Sequence, residues 1–215
     1  MTSNRIIQPI FSESLYFTNI KTNHKKYHQA LIDLEKDRVT VADPLLNSDK
    51  RERIITGNLI SKNKKVLDTK EFKSLKDLLY KEIKIAIQEY FKYNIDFTIE
   101  TSWGTLSQPN AVSEFHTHCN YWYSAVYYPH GSYEDEMSII LDKSLPSLFS
   151  VPTKEWKHFN QNQYVLRVTE GDLIVFPSTL RHKIGFNFTK QNRHSLALNI
   201  LPKGTIGDDD GSRTI

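Results

Sequence analysis

The spacing of apolar residues changes near residue 94. Before it, two stretches repeat at helical intervals. Tyr27, Leu31 and Leu34 follow Asn23, predicting a helix capped by Asn23 and running to Lys36. Phe72, Leu75, Leu79, Ile83, Ala86, Ile87 and Tyr90 form one stripe, predicting a second helix opened by an Asp68/Glu71 capping box. That stripe needs a sheet to cover, while the lysine-rich opposite face reads as solvated surface. Residues 6–17 alternate loosely around Pro9 and predict an edge strand. Between 39 and 67 the pattern is weak, with Ile54-Ile55 and Leu59-Ile60 as short strand candidates. After Asn94 apolar and polar positions alternate, predicting strands over 97–106, 113–118, 122–128, 137–141, 164–168, 173–177, 183–188 and 193–201. Eight strands behind a helical layer predict a mainly β fold with some α, a jelly roll with N-terminal helices packed on one sheet.

Length and composition narrow the class. A chain of 215 residues fits one domain with a sizeable core: 1–202, with a helical support layer over 1–93 and a β core over 94–202. Residues 203–215 read as a flexible acidic tail. Net charge is only +3 and the lysines are scattered, so nucleic acid is not indicated as a partner. One cysteine, Cys119, excludes an intrachain disulfide and fits a reducing compartment. No apolar run suits a signal peptide or a membrane span, so a cytoplasmic protein is expected, in the host cytoplasm if the gene is a phage's.

Candidate chemistry gathers in two places. On a strand, His116 and His118 share a face with Glu114, offering two neutral nitrogen ligands and a carboxylate. His182, after the apolar run 171–177, is the third candidate ligand; the competing reading is a set of hydrogen-bonded structural histidines. Counting by twos, Arg193, Ser195, Ala197 and Asn199 share one face of the last strand, while Leu196, Leu198 and Ile200 share the other and would meet the helices. An arginine inside a barrel needs a carboxylate from the protein or from a ligand, and its fork suits bidentate capture. The alternative is a salt bridge at the rim. Trp103, Tyr121, Trp122 and Tyr123 read either as a substrate wall or as core and rim. Cys119 reads as a buried bystander, His24 and His28 as solvent-facing, and His130, His158 and His194 have no partner spacing.

The order His-x-His, Ser-Ala-Val-Tyr-Tyr, Gly-Asp-Leu-Ile-Val-Phe-Pro-Ser-x-Leu-x-His and Arg-x-Ser, over 103–201, resembles the non-haem Fe(II), 2-oxoglutarate-dependent dioxygenases. In particular it is similar to a prolyl-hydroxylase-like group common in phages and marine bacteria. The resemblance implies a double-stranded β-helix, Fe(II) and 2-oxoglutarate as cofactors, O2 as cosubstrate, and a hydroxylase releasing succinate and CO2. It assigns His116 and His182 to the metal, Arg193, Ser195 and Tyr128 to the distal carboxylate of 2-oxoglutarate, and His118 to the position where the family usually has an acid. Glu114 is the alternative second ligand. The primary substrate, whether peptide, amino acid or small metabolite, is a matter for the loops, 142–163 among them. Two other readings remain at this point: a cupin-like metal enzyme that uses no keto acid, and a non-catalytic jelly-roll binding module.

Overall fold

A computed structural model describes residues 7, 13–34, 58–143, 149 and 151–215, and the backbone of 38–40. In chain order its main elements are β1 (Tyr16–Asn19), α1 (His24–Asp33), β2 (Arg38–Thr40), β3 (Asn58–Ser61), α2 (Lys73–Ile85), β4 (Asp96–Ser107) and β5 (Tyr123–Tyr127). There follow β6 (Ser138–Asp142), β7 (Gln163–Arg167), β8 (Asp172–Pro177), β9 (Arg181–Ile184), β10 (Arg193–Lys203), β11 (Thr205–Ile206) and β12 (Arg213–Thr214). The larger sheet runs β1-β8-β5-β10-β4-β3-β2 and the smaller one β7-β6-β9, all neighbours antiparallel.

Strand alternation divides the core in two. On the outer face of the larger sheet, Tyr123, Ala125, Tyr127, Leu196, Leu198 and Ile200 pack against Tyr27 and Leu31 of α1 and Leu75, Leu79 and Ile83 of α2. On the inner side, Tyr128, Met137, Ile139, Leu141, Ile174, Phe176 and Leu180 form a second cluster, with residues from both sheets. The jelly roll with helices on one sheet is therefore the observed arrangement, and β10, paired to β4 on one side and β5 on the other, is its central strand.

Several expectations shift. The edge strand lies at β1, later than 6–17; residues 6 and 8–12, Lys36 and Ile54-Ile55 are outside the described residues. The Asn23 side chain does cap α1, accepting from the Lys26 N–H. The Asp68/Glu71 capping box does not form. Asp68 closes a 3-10 turn over Val66–Asp68, α2 starts only at Lys73 without a side-chain cap, and Asp68 instead pairs with Lys76 at 2.5 Å. Tyr90 leaves the apolar stripe and is 67% exposed. The last turn, Ala86–Tyr90, is a π-turn, in which Phe91 N–H reaches back five residues to Ala86 O, so helical spacing loses phase there.

The strand expected over 113–118 is reduced to one isolated bridge, His116 with His182 on the outer edge of β9, where the Ile184 N–H goes to the Ser113 hydroxyl at 2.7 Å instead of to a backbone carbonyl. His24 and His28 are not solvent-facing. His24 Nδ1 meets the Tyr127 hydroxyl at 2.6 Å, and the His28 ring stacks on His130 with centroids 3.9 Å apart. The tail carries the β11–β12 hairpin. Among the described residues no helix is long and apolar enough to cross a membrane.

Candidate active site

Three imidazoles converge at one end of the space between the sheets. His182 was expected at the end of the 171–177 strand; a turn at 178–180 instead carries it to the other sheet, into β9. His116 is held beside it by two backbone bonds, His116 N–H to His182 O and His182 N–H to His116 O, both 2.9 Å. The His118 N–H donates to Ser178 O at 2.9 Å. The ligand nitrogens of the three rings lie within 4.8 Å of one another.

Each ring is oriented through its Nδ1. His116 Nδ1 lies 3.0 Å from Glu114 O, and His182 Nδ1 lies 2.8 Å from Leu180 O. A carbonyl can only accept, so Nδ1 carries the proton and Nε2 is left with a bare lone pair. His118 Nδ1 meets Asn199 Oδ1 at 2.5 Å. On its other side Asn199 Nδ2 donates to Thr101 Oγ1 at 3.1 Å. Ser124 Oγ, 3.0 Å from both His118 Nδ1 and Asn199 Oδ1, completes the support. Burial, then the nearby His116, pushes His182 down to about 3, and burial also lowers His118. Both rings therefore keep their lone pairs at neutral pH.

Of the two candidates for the second position, His118 joins the cluster. Glu114 is exposed and contributes its backbone carbonyl, and among the described residues no carboxylate joins the three histidines. Cys119, expected to be buried, is exposed; Asn120 turns the chain with φ of 67°, so strand alternation does not extend through it. Trp103 is the aromatic that reaches this end, its ring 5.6 Å from His118 with Lys64 Nζ 5.9 Å from its centre. Trp122 and Tyr123 belong instead to an outer aromatic group with Tyr93, and Tyr121 is half-buried.

The inner face of β10 runs Asn199, Ala197, Ser195, Arg193, opposite Thr101, Trp103, Thr105 and Ser107 of β4. Arg193 is 5% exposed. Its Nη1 donates to Phe186 O at 3.0 Å and Nη2 to Asp135 O at 2.8 Å, while among the described residues Nε has no partner, nor has the hydroxyl of Ser107 across from it. Among the described residues no carboxylate lies within 4.0 Å of the guanidinium. Burial lowers the Arg193 pKa, opposed by the fields of Asp135 and Glu136. A buried cation with orphaned polar atoms around it is a site shaped for an anion. The Ser195 hydroxyl is bonded to that of Thr105, and Tyr128 lies buried in the inner cluster, where burial raises its hydroxyl pKa.

Asn199 and Ser124 are the residues that sequence reasoning left without a role. The sequence signal for Asn199 was its phase, six residues beyond Arg193 on the same strand face.

Residues 101–199 match the family model described as "Putative 2OG-Fe(II) oxygenase". No curated protein sequence matches the chain. Among solved structures, a prolyl-4-hydroxylase from Pseudomonas putida is similar at 12% identity and TM-score 0.55, over 88% of this chain and 93% of that one. HygX from Streptomyces hygroscopicus, solved with nickel and 2-oxoglutarate bound, has 13% identity and TM-score 0.59, over 88% and 83%. SnoK, a non-haem α-ketoglutarate-dependent carbocyclase from nogalamycin biosynthesis, has 10% identity and TM-score 0.63, over 93% and 85%.

Proposed function

We propose, from the match of residues 101–199 to the 2OG-Fe(II) oxygenase family model, that this chain is an Fe(II)- and 2-oxoglutarate-dependent dioxygenase. Its iron ligands are His116, His118 and His182, and its 2-oxoglutarate clamp is Arg193 with Ser195 and Tyr128. The observation that carries this reading is the ring arrangement: three Nδ1 atoms held by oxygen acceptors leave the Nε2 atoms for a metal, in a cluster whose ligand nitrogens lie within 4.8 Å of one another. The donor set fits, since imidazoles suit iron and three facial ligands leave positions for cosubstrates. The orphaned Arg193 Nε supports a carboxylate ligand in the same way.

When bound, iron and 2-oxoglutarate supply the oxidising chemistry: with O2, the keto acid becomes succinate and CO2 and one oxygen atom enters a C–H bond of the substrate. The chain's own residues position and desolvate. Three neutral imidazoles bring no negative charge, so the site holds an anionic cosubstrate more strongly than one containing an acid. Arg193 takes the distal carboxylate, Ala197 with its single methyl leaves the strand face between clamp and histidines open, and Trp103 with Lys64 walls the side where a peptide, amino acid or small metabolite is presented. The test is succinate formation from 2-oxoglutarate without added substrate, together with 2-oxoglutarate binding to the iron-loaded protein. Wild type should bind and turn over. Arg193→Ala should weaken binding about a hundredfold, the loss expected when a buried charged hydrogen-bond partner is removed. Absence of both binding and turnover in wild type refutes the assignment.

A further inference from the structure

A second group of three histidines lies on the other face of the central strand. His28 comes from α1, His130 from the segment after β5, and His194 from β10, and their ligand nitrogens lie within 4.8 Å of one another. His194 follows Arg193 directly, so alternation points it away from the clamp and toward α1. His194 thus lies on the opposite face of β10 from Asn199, the residue against His118, and five positions (199 − 194) along the strand from it.

We propose that His28, His130 and His194 form a second metal site, distinct from the iron centre, that takes a late divalent transition ion such as zinc with solvent as the fourth ligand. His28 Nε2 and His194 Nδ1 lie 3.2 Å apart, close to the ~3.3 Å between two nitrogens bound to one tetrahedral zinc. Both rings are able to present bare nitrogens there, since each neutral imidazole has its other nitrogen for the proton. His194 is 3% exposed while His28 is half-buried, so the site has a protein-lined floor and an open side for solvent. His130 completes the floor, stacked on His28 with centroids 3.9 Å apart and only 9° between planes. Its Nε2 accepts the His194 backbone N–H at 2.7 Å, and metal capture exchanges that hydrogen bond for a coordinate bond through a turn of the ring. Three nitrogens, joined by no carboxylate among the described residues, favour zinc, nickel or copper over magnesium or calcium.

The test is cobalt(II) titration of the metal-free full chain under anaerobic conditions, read by visible absorption, with zinc competing. Wild type should take two equivalents, one giving the intense bands of four-coordinate cobalt. His28→Phe keeps a stacking ring but no nitrogen; it should lose one equivalent and those bands while melting like wild type. His182→Ala should keep the bands and lose the other equivalent. His130→Phe, a second ring-preserving change, should behave as His28→Phe does. A wild type that binds one equivalent, lost in His182→Ala and kept in His28→Phe, or bands that survive both His28→Phe and His130→Phe, overturns the proposal and leaves the iron assignment untouched.

Discussion

Replacing Asn199 by alanine removes the carbonyl that accepts from His118 Nδ1 at 2.5 Å, in a residue only 4% exposed. Three bonds go with it, since Ser124 Oγ also donates to Oδ1 at 3.0 Å and Nδ2 reaches Thr101 at 3.1 Å. His118 keeps Ser124 Oγ at 3.0 Å as a weaker acceptor, so its tautomer is biased rather than lost. Metal affinity should therefore fall about tenfold, ~1.4 kcal/mol, the low end of what removal of a ligand's hydrogen-bond partner costs. Folding stability should fall by a separate ~1–3 kcal/mol, because the Thr101 hydroxyl and His118 N–H lose buried partners. The two effects separate by assay: chelator competition for Fe(II) or Co(II) on the metal-free protein reads the first, and urea unfolding of the same sample reads the second. Asn199→Asp keeps an acceptor and should restore metal affinity. If alanine leaves metal affinity within twofold of wild type while stability drops, Asn199 is a packing residue and the orienting argument fails.

Other consequences follow from the same geometry. His118→Asp adds a negative charge beside the metal and should retain iron while weakening 2-oxoglutarate by up to about a thousandfold, from ~4 kcal/mol between unit charges about 4 Å apart at an effective dielectric near 20; calorimetric titration of the loaded protein reads it. Leu79→Ala in α2, a fully buried position between helix and sheet, should cost ~2–5 kcal/mol in urea unfolding with the metal affinity of the folded fraction unchanged. Acidification should destabilise the metal-free protein. His130 and His182 are both held near 3 by burial and neighbouring imidazoles, against ~6.5 in the unfolded chain, so between those values the unfolded state binds more protons. Stability should be fully present above pH ~6.5 and fall by up to ~1.4 kcal/mol per pH unit per histidine toward pH 3; a flat urea midpoint from pH 7 to 5 contradicts this.

The amino-acid pattern by itself determined most of what alternation and helical spacing can encode. The 97–106 and 193–201 periodicities are β4 and β10, and the apolar face of β10 meets the helices because Leu196, Leu198 and Ile200 fall in one phase. His-x-His, the later His182 and Arg-x-Ser were likewise legible, since each is a short-range spacing. Tertiary structure decided what depends on which distant groups meet. It placed His118, and not the Glu114 side chain, beside His116 and His182, because the chain around 113–118 makes one bridge rather than a ladder and strand phase does not carry through. It put His182 in the smaller sheet through the 178–180 turn. It brought Asn199 under His118 and gathered His28, His130 and His194, whose members are separated by 102 and 64 positions (130 − 28 and 194 − 130). Local periodicity records which face a residue takes; it holds no information about which side chain from another element stands opposite, and a metal site consists of such meetings.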